Sequence, residues 1–563
     1  MNKKIFLPIL ALAAIFAFPG CSGKLTPLTE QYVKAEPQPL EAIGGEVPVT
    51  ISATFPAKWF NKNAVVTITP VLRYATGETW GTSYTFQGEK VKANNQVVNY
   101  TSGGNATMRS KFNYIPAMKK SELYLTFEAK IKNKTVKFPD VKIADGVIST
   151  SVLADAATNN PAVGADKFQR IIKEAYNENI MFLIQQAELR SSELNKTGLK
   201  EWKDLVENAN QAPNQKVAVE ISAYASPDGG FKLNDALAER REGNTQKYLS
   251  NELKKRNVVI PIDANYTAQD WEGFRELVSK SNLQDKDLVL RVLSMYTDVA
   301  EREREIKNIS TVFKSLADEI LPQLRRSRLT ANIEIIGKSD EEIASLAKNS
   351  AGSLNVEELL YAATLTSSDS EKETIYTKAS TIFPNDYRPW NNIGMQRFRA
   401  GDFTKADEMF NKSNAVKNNS EANINLGLLA LLKNDKSKAQ QLFGSASDVP
   451  ELGEALGLLY LSQGDYAKAV SSFAGTKSNN AALAQILTKD YSTAAQTLNQ
   501  VKTPTAITDY LKAIVAARTN DSNGVVSNMK AAISKDRSLA KEAANDLEFV
   551  KYMNNSSFTD LLK

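Results

Sequence analysis

Ser226, Asp228 and Arg241 are the side chains best placed to do polar chemistry on a ligand, and one stretch, Val217–Leu249, carries all three. Val217, Val219, Ile221 and Ala223 alternate with polar or small residues, which predicts a strand with one buried face as far as Tyr224. Ser226-Pro227-Asp228-Gly229-Gly230 breaks it, and Leu233, Leu237, Thr245 and Tyr248 follow at helical spacing. The segment therefore reads strand, Gly-rich turn, helix, with backbone N–H groups at a helix N-terminus where carboxylates are stabilised. Arg241 falls on the inward face of that helix. A guanidinium there needs a partner, either an anionic ligand group or a neighbouring carboxylate or loop carbonyl. Asp228 also has two uses: a ligand carboxylate, or the turn and cap chemistry common for Asp before Gly-Gly.

Composition closes other routes. The chain has no histidine and a single cysteine, Cys21. Histidine general-base catalysis, Ser-His-Asp triads and Cys/His zinc sites are excluded, and neither phosphate-cradling nor dinucleotide Gly-rich motifs occur. Acidic pairs such as Glu301/Glu305 sit at helical spacing as ordinary surface residues. A carboxylate-only glycosidase would have to use such residues, and nothing positions a pair for it. No enzyme activity, cofactor or metal is expected. Basic and acidic side chains number 69 and 64, too balanced for a nucleic-acid footprint.

Beyond the bare spacing, Asn234-x-x-Leu237-Ala238-x-x-Arg241-x-x-x-Thr245-x-x-Tyr248-Leu249 resembles the helix of the OmpA-like peptidoglycan-binding domain. Tyr224-Ala225-Ser226-Pro227-Asp228-Gly229 looks like the Bacteroidetes branch of that family. The resemblance implies that an Asp in the turn and an Arg on the helix hold the diaminopimelate of a peptidoglycan stem. Arg241 matches the family Arg; Ser226 stands where the family has its Asp, and Asp228, two residues on, is the carboxylate the resemblance offers instead.

The chain begins with a short basic start and an apolar run from Ile5 to Phe18, which predicts a signal peptide over 1–20. Pro19-Gly20-Cys21 resembles a bacterial lipobox, which implies acylation of Cys21. Ser22–Thr26 lacks an acidic cluster of the kind found in surface-exported lipoproteins. The expected place is therefore the periplasmic face of the outer membrane, by lipid anchor.

Residues 21–37, with prolines at 27 and 37, read as the lipidated tether. Over 38–150, alternating runs such as Val47–Phe55 and Leu123–Ile131 predict an all-β immunoglobulin-like sandwich. Asp155–Gly164 reads as a linker. An α+β OmpA-like domain is expected over 165–338, with strands at 180–186, 217–224, 258–266 and 332–336 and a helical insertion at about 268–328. Arg325 and Arg326 suit either an extended anionic site or a solvated pair at a helix end, the second reading being preferred.

From about 350 to 563 the chain repeats. Gly394/Ala406/Phe410, Gly427/Ala439/Phe443 and Gly457/Ala469/Phe473 recur at tetratricopeptide spacing, which identifies an all-α solenoid. Its concave face suits a protein partner. Asn391, Asn392, Asn423 and Asn425 lie on first helices, either lining that face to clamp an extended backbone or exposed to solvent. The combined expectation is a lipoprotein that binds peptidoglycan and holds a protein partner; the alternative is a scaffold without wall affinity.

Overall fold

The computed structural model describes residues 28–227, 229–283, 285–308 and 314–563. The signal peptide, Cys21 and Asp228 lie outside the described residues. The chain forms two compact units, one from residues up to Ala165 together with Ser368–Lys563, the other from Asp166–Ser367.

Unit 1 begins with β structure. One sheet orders Val33–Glu36, Glu46–Phe55 and Gly104–Asn113; a larger one is built around Ala64–Tyr74 and Ser121–Ile131. Period-two alternation places Val47, Val49, Ile51, Ala53 and Phe55 in the core with Val66, Ile68, Leu123, Leu125 and Phe127. The β region starts earlier than expected, because Val33–Glu36, assigned to the tether, pairs antiparallel with Thr50–Ala53 and buries Val33 and Ala35. Trp59 stacks on Phe55 at 5.4 Å, whereas Trp80 is largely exposed.

The helical part of unit 1 is a run of antiparallel helix pairs from Asp369–Ile382 to Ser522–Lys535. Small residues let the helices of a pair touch. A Cβ on Gly394, Gly427 or Gly457 would stand 2.6, 2.2 or 2.8 Å from the rings of Phe410, Phe443 and Phe473, and Ala406, Ala439 and Ala469 are fully buried beside them. Second helices share an Asp N-cap, Asp402, Asp435, Asp465, Asp490 and Asp521, each accepting the N–H three residues on. Phe549, Tyr552 and Phe558 close the far end of this core.

Unit 2 holds a four-stranded sheet ordered Ile171–Met181, Arg326–Ile336, Gln215–Tyr224, Ile262–Thr267, the last two parallel and joined by helix Phe231–Lys255. Leu199, Trp202, Val206, Leu249 and Leu253 pack on its buried face. The first strand precedes the expected 180–186. It is an edge strand whose charged and polar residues obscure the alternation, and only Ile180 is fully buried on it. Pro261 ends the approach to the third strand and gives its carbonyl to Val219 N–H. The last strand is longer than expected and pairs along nearly its whole length with both neighbours.

The helical insertion carries its own core, including Phe274, Val278, Val289, Leu293, Leu316 and Leu324. Helix Val356–Ala362, expected in the solenoid, belongs to unit 2. Lys338 bonds Glu358 at 2.8 Å, and the Tyr361 hydroxyl donates to Asp340 at 2.8 Å while its ring stacks on Phe168.

Candidate functional site

In unit 2, strand Gln215–Tyr224 delivers the turn and helix Phe231–Lys255 returns Arg241 beneath it. Arg241 is 0 % exposed. Its three guanidinium nitrogens donate to main-chain carbonyls, Nε to Gln186 at 2.9 Å, Nη1 to Tyr224 at 2.8 Å and Nη2 to Leu183 at 3.1 Å. The guanidinium also lies over the Phe182 ring. Among the described residues, main-chain carbonyls are its hydrogen-bond partners. Two of them, Leu183 and Gln186, lie in the stretch 180–186 that was expected as strand, and the third, Tyr224, ends strand Gln215–Tyr224.

Ser226 is buried as well, and the turn is tied down from several sides. Asn234 donates to the carbonyls of Ser226 and Gly229, at 2.9 and 2.8 Å. From the insertion, Gln269 Nε2 donates to the Gly229 carbonyl at 3.1 Å, and Arg325 Nε to Ser226 Oγ at 3.3 Å. Arg326 is not the solvated partner expected of it: it is the first residue of the last strand and points between sheet and insertion. There its Nη2 meets Asp270 Oδ2 at 3.0 Å, both side chains buried. Burial pushes the Asp270 carboxyl up, against the Gly273 N–H and the Arg326 guanidinium, and burial likewise pushes Arg326 down.

In unit 1 three of the four asparagines, Asn391, Asn392 and Asn425, clamp an extended backbone, and that backbone is the chain's own. Residues 153–165, which include the linker expected over Asp155–Gly164, run along the first helices of the repeats. Ala162 N–H donates to Asn425 Oδ1 at 2.7 Å, and the Ala162 carbonyl accepts from Asn425 Nδ2 at 2.8 Å and Asn391 Nδ2 at 3.0 Å. Two residues on, Gly164 exchanges the same pair of bonds with Asn392, at 2.8 and 2.9 Å. At the other end Asn480 does so with Asp155, at 3.0 and 2.9 Å, and its Nδ2 also meets Asn159 Oδ1 at 2.8 Å. Asn159 in turn donates to the Glu454 carbonyl at 3.4 Å. A primary amide carries one acceptor and two donors, so each Asn pairs with both polar groups of one residue, as a neighbouring strand would.

Asn423 takes no part. Its amide bonds Asn414 and Asn418, within the connection between two helices. Asn480 and Arg388 are members the sequence reading missed. Arg388 donates to the Ala165 carbonyl at 3.2 Å and is gripped by Asp386 through Nε and Nη2, at 3.1 and 2.8 Å. Although burial pushes the Asp386 carboxyl up, the Arg388 guanidinium and N–H hold it below its ordinary range. Asn480 was findable, since it occupies the first helix of a later repeat, as Asn391 and Asn425 do in theirs.

The β region and the solenoid also meet directly. Lys119 Nζ pairs with Glu542 at 2.5 Å, Lys436 Nζ donates to the Gly44 carbonyl at 2.7 Å, and the Thr150 hydroxyl donates to Glu548.

No family model and no curated protein matches the sequence. Among solved structures, the chain is similar to a tetratricopeptide repeat protein from Parabacteroides merdae ATCC 43184, at 17% identity and TM-score 0.28, over 40% of this chain and 90% of that one. It is similar to yeast Tom70 at 13% identity and TM-score 0.26, over 57% and 76% of the two chains. The native conformation of E. coli alpha-2-macroglobulin aligns at 11% identity and TM-score 0.14, over 78% and 26%. At TM-scores this low, the reading of the helical repeat stands on the chain's own Gly–Phe register.

Proposed function

We propose that the chain is a non-enzymatic protein-interaction scaffold of a bacterial outer membrane, lipid-anchored through Cys21 on the periplasmic side. It combines an immunoglobulin-like sandwich, an OmpA-like domain with an expanded insertion and a tetratricopeptide solenoid. The observation that carries the scaffold reading over wall attachment is Arg241. It has no exposed surface, and each of its guanidinium nitrogens donates to a main-chain carbonyl, of Gln186, Tyr224 or Leu183, which supports a structural role. Gln269 and Arg325 bond Gly229 and Ser226 in the turn.

A second reading, peptidoglycan binding through Asp228, Arg241 and Ser226, is favoured by the placing of Ser226 and Arg241 on one strand-turn-helix. Co-sedimentation with purified peptidoglycan separates the two, using the protein begun at Ser22 beside Asp228→Ala and Arg241→Lys variants checked for folding. The scaffold reading expects the wild type to remain in the supernatant. Salt-resistant pelleting that both substitutions abolish would establish wall binding instead.

A further inference from the structure

The inner face of the solenoid does more than tolerate the segment lying on it. Three side chains from three first helices, Asn392, Asn425 and Asn480, each pair with both the N–H and the C=O of one segment residue, and Asn391 adds a fourth amide. Main-chain pairing of this kind would hold any extended peptide. Selectivity comes from what the side chains meet. Pro161, Ala162 and Gly164 are buried, Ala162 to 0 % exposure, and Asn159 places its own amide between Asn480 and the Glu454 carbonyl. A Cβ at position 164 would stand 2.8 Å from Arg388 Cβ and 3.0 Å from its Cα, so that position admits glycine alone without a shift of the helix.

We propose that this face is a peptide site reading an extended Asn-x-Pro-Ala-x-Gly strand, and that residues 153–165 are an exchangeable ligand supplied to it in cis. The segment is tethered at both ends, to the β region before Val152 and to unit 2 after Ala165. Tethering sets an effective concentration in the millimolar range, which excludes a free competitor of ordinary affinity by mass action alone. The site is thus closed while the segment is seated. It opens to a partner protein carrying the same pattern once the segment is withdrawn. The inference rests on the scaffold reading only in taking a protein as the partner; the peptidoglycan assay tests unit 2 and leaves the groove unread.

The test uses the full protein begun at Ser22 with Ala162→Arg and Gly164→Leu together, which the groove cannot seat. Fluorescence anisotropy then follows a labelled synthetic peptide of the natural 153–165 sequence. Expected is saturable binding to the double variant at least about 100-fold tighter than to the wild type, whose groove is filled, and loss of that binding when Asn425→Ala is added. A double variant that keeps its helical circular dichroism and cooperative melt yet fails to bind the peptide overturns the proposal. Should the double variant not fold, a second form answers: a site-specific protease sequence inserted on each side of residues 153–165, cut after folding. Exchange of the cut segment for labelled peptide, read by mass spectrometry, supports the proposal. Retention of the cut segment through prolonged incubation with excess peptide overturns it, making the segment a fixed core strand.

Discussion

Ala162 and Asn425 exchange two hydrogen bonds, 2.7 Å from Ala162 N–H to Oδ1 and 2.8 Å from Nδ2 to the Ala162 carbonyl, across 263 residues of sequence. All of unit 2 lies between them in the chain. A stretch that composition marks as a connection is therefore part of the solenoid's interior, and its main-chain groups are satisfied by side chains because no strand lies beside it.

Asn425→Ala removes both bonds and leaves the buried N–H of Ala162 without its acceptor. Such a loss costs about 1–3 kcal/mol. A lowered melting temperature for unit 1, read by circular dichroism, is expected. Asn423→Ala, which touches only the Asn414–Asn418 connection, should leave proteolysis within 153–165 unchanged, while Asn425→Ala should increase it.

Gly164→Ala drives a methyl against Arg388 Cβ and Cα, atoms that cannot swing aside. Overpacking of this sort costs about 1–3 kcal/mol. Ala165→Ser, one residue on at an exposed position, should be nearly neutral in the same denaturant titration.

Gly427→Ala places a methyl 2.2 Å from the Phe443 ring. It should destabilise the solenoid by a similar amount, and Phe443→Leu should partly relieve it. A double-mutant cycle with a favourable coupling energy is the expected result, and strict additivity would count against the helix-contact role given to the glycine.

Arg241→Lys keeps the charge and gives up the planar fork that reaches three carbonyls. Each carbonyl left unpaired costs about 1–3 kcal/mol. Loss of stability confined to unit 2, with no change in peptidoglycan sedimentation, is expected.

Acid should loosen the Gly164 end of the segment. Asp386 sits below its ordinary range in the folded protein, held there by Arg388 against the opposing effect of burial. The stability it contributes is present above the unfolded Asp value, about 3.9, and is lost as pH falls through the lower folded value. Asp386→Asn should be less stable than wild type at neutral pH and show a smaller decline on acidification, measured as denaturant midpoints across the acid range.

Much of the architecture was legible because its signals are local. The recurring Gly, Ala and Phe of the repeats, and the alternation in Val47–Phe55 and Val217–Ala223, survive because each depends on neighbours within one element. Strand Ile171–Met181 was misplaced because an edge strand with one open face buries too little to keep its alternation clean. Arg326 and Asp270 were read apart, since a buried pair separated by 56 residues leaves no spacing to detect. The asparagines were placed on the inner helices by repeat register alone. What lies against them was hidden, because a segment rich in Ala, Asn and Pro has the composition of a linker whether or not something holds it.

The most direct measurement of residues 153–165 is amide hydrogen exchange in the intact protein. Asp155, Ala162 and Gly164 N–H groups bonded to Asn480, Asn425 and Asn392 should exchange far more slowly than those of an unstructured linker, and Asn425→Ala should accelerate Ala162. Exchange of all three at the rate of an unstructured linker, while the inner helices stay protected, would contradict the seating of the segment in the groove.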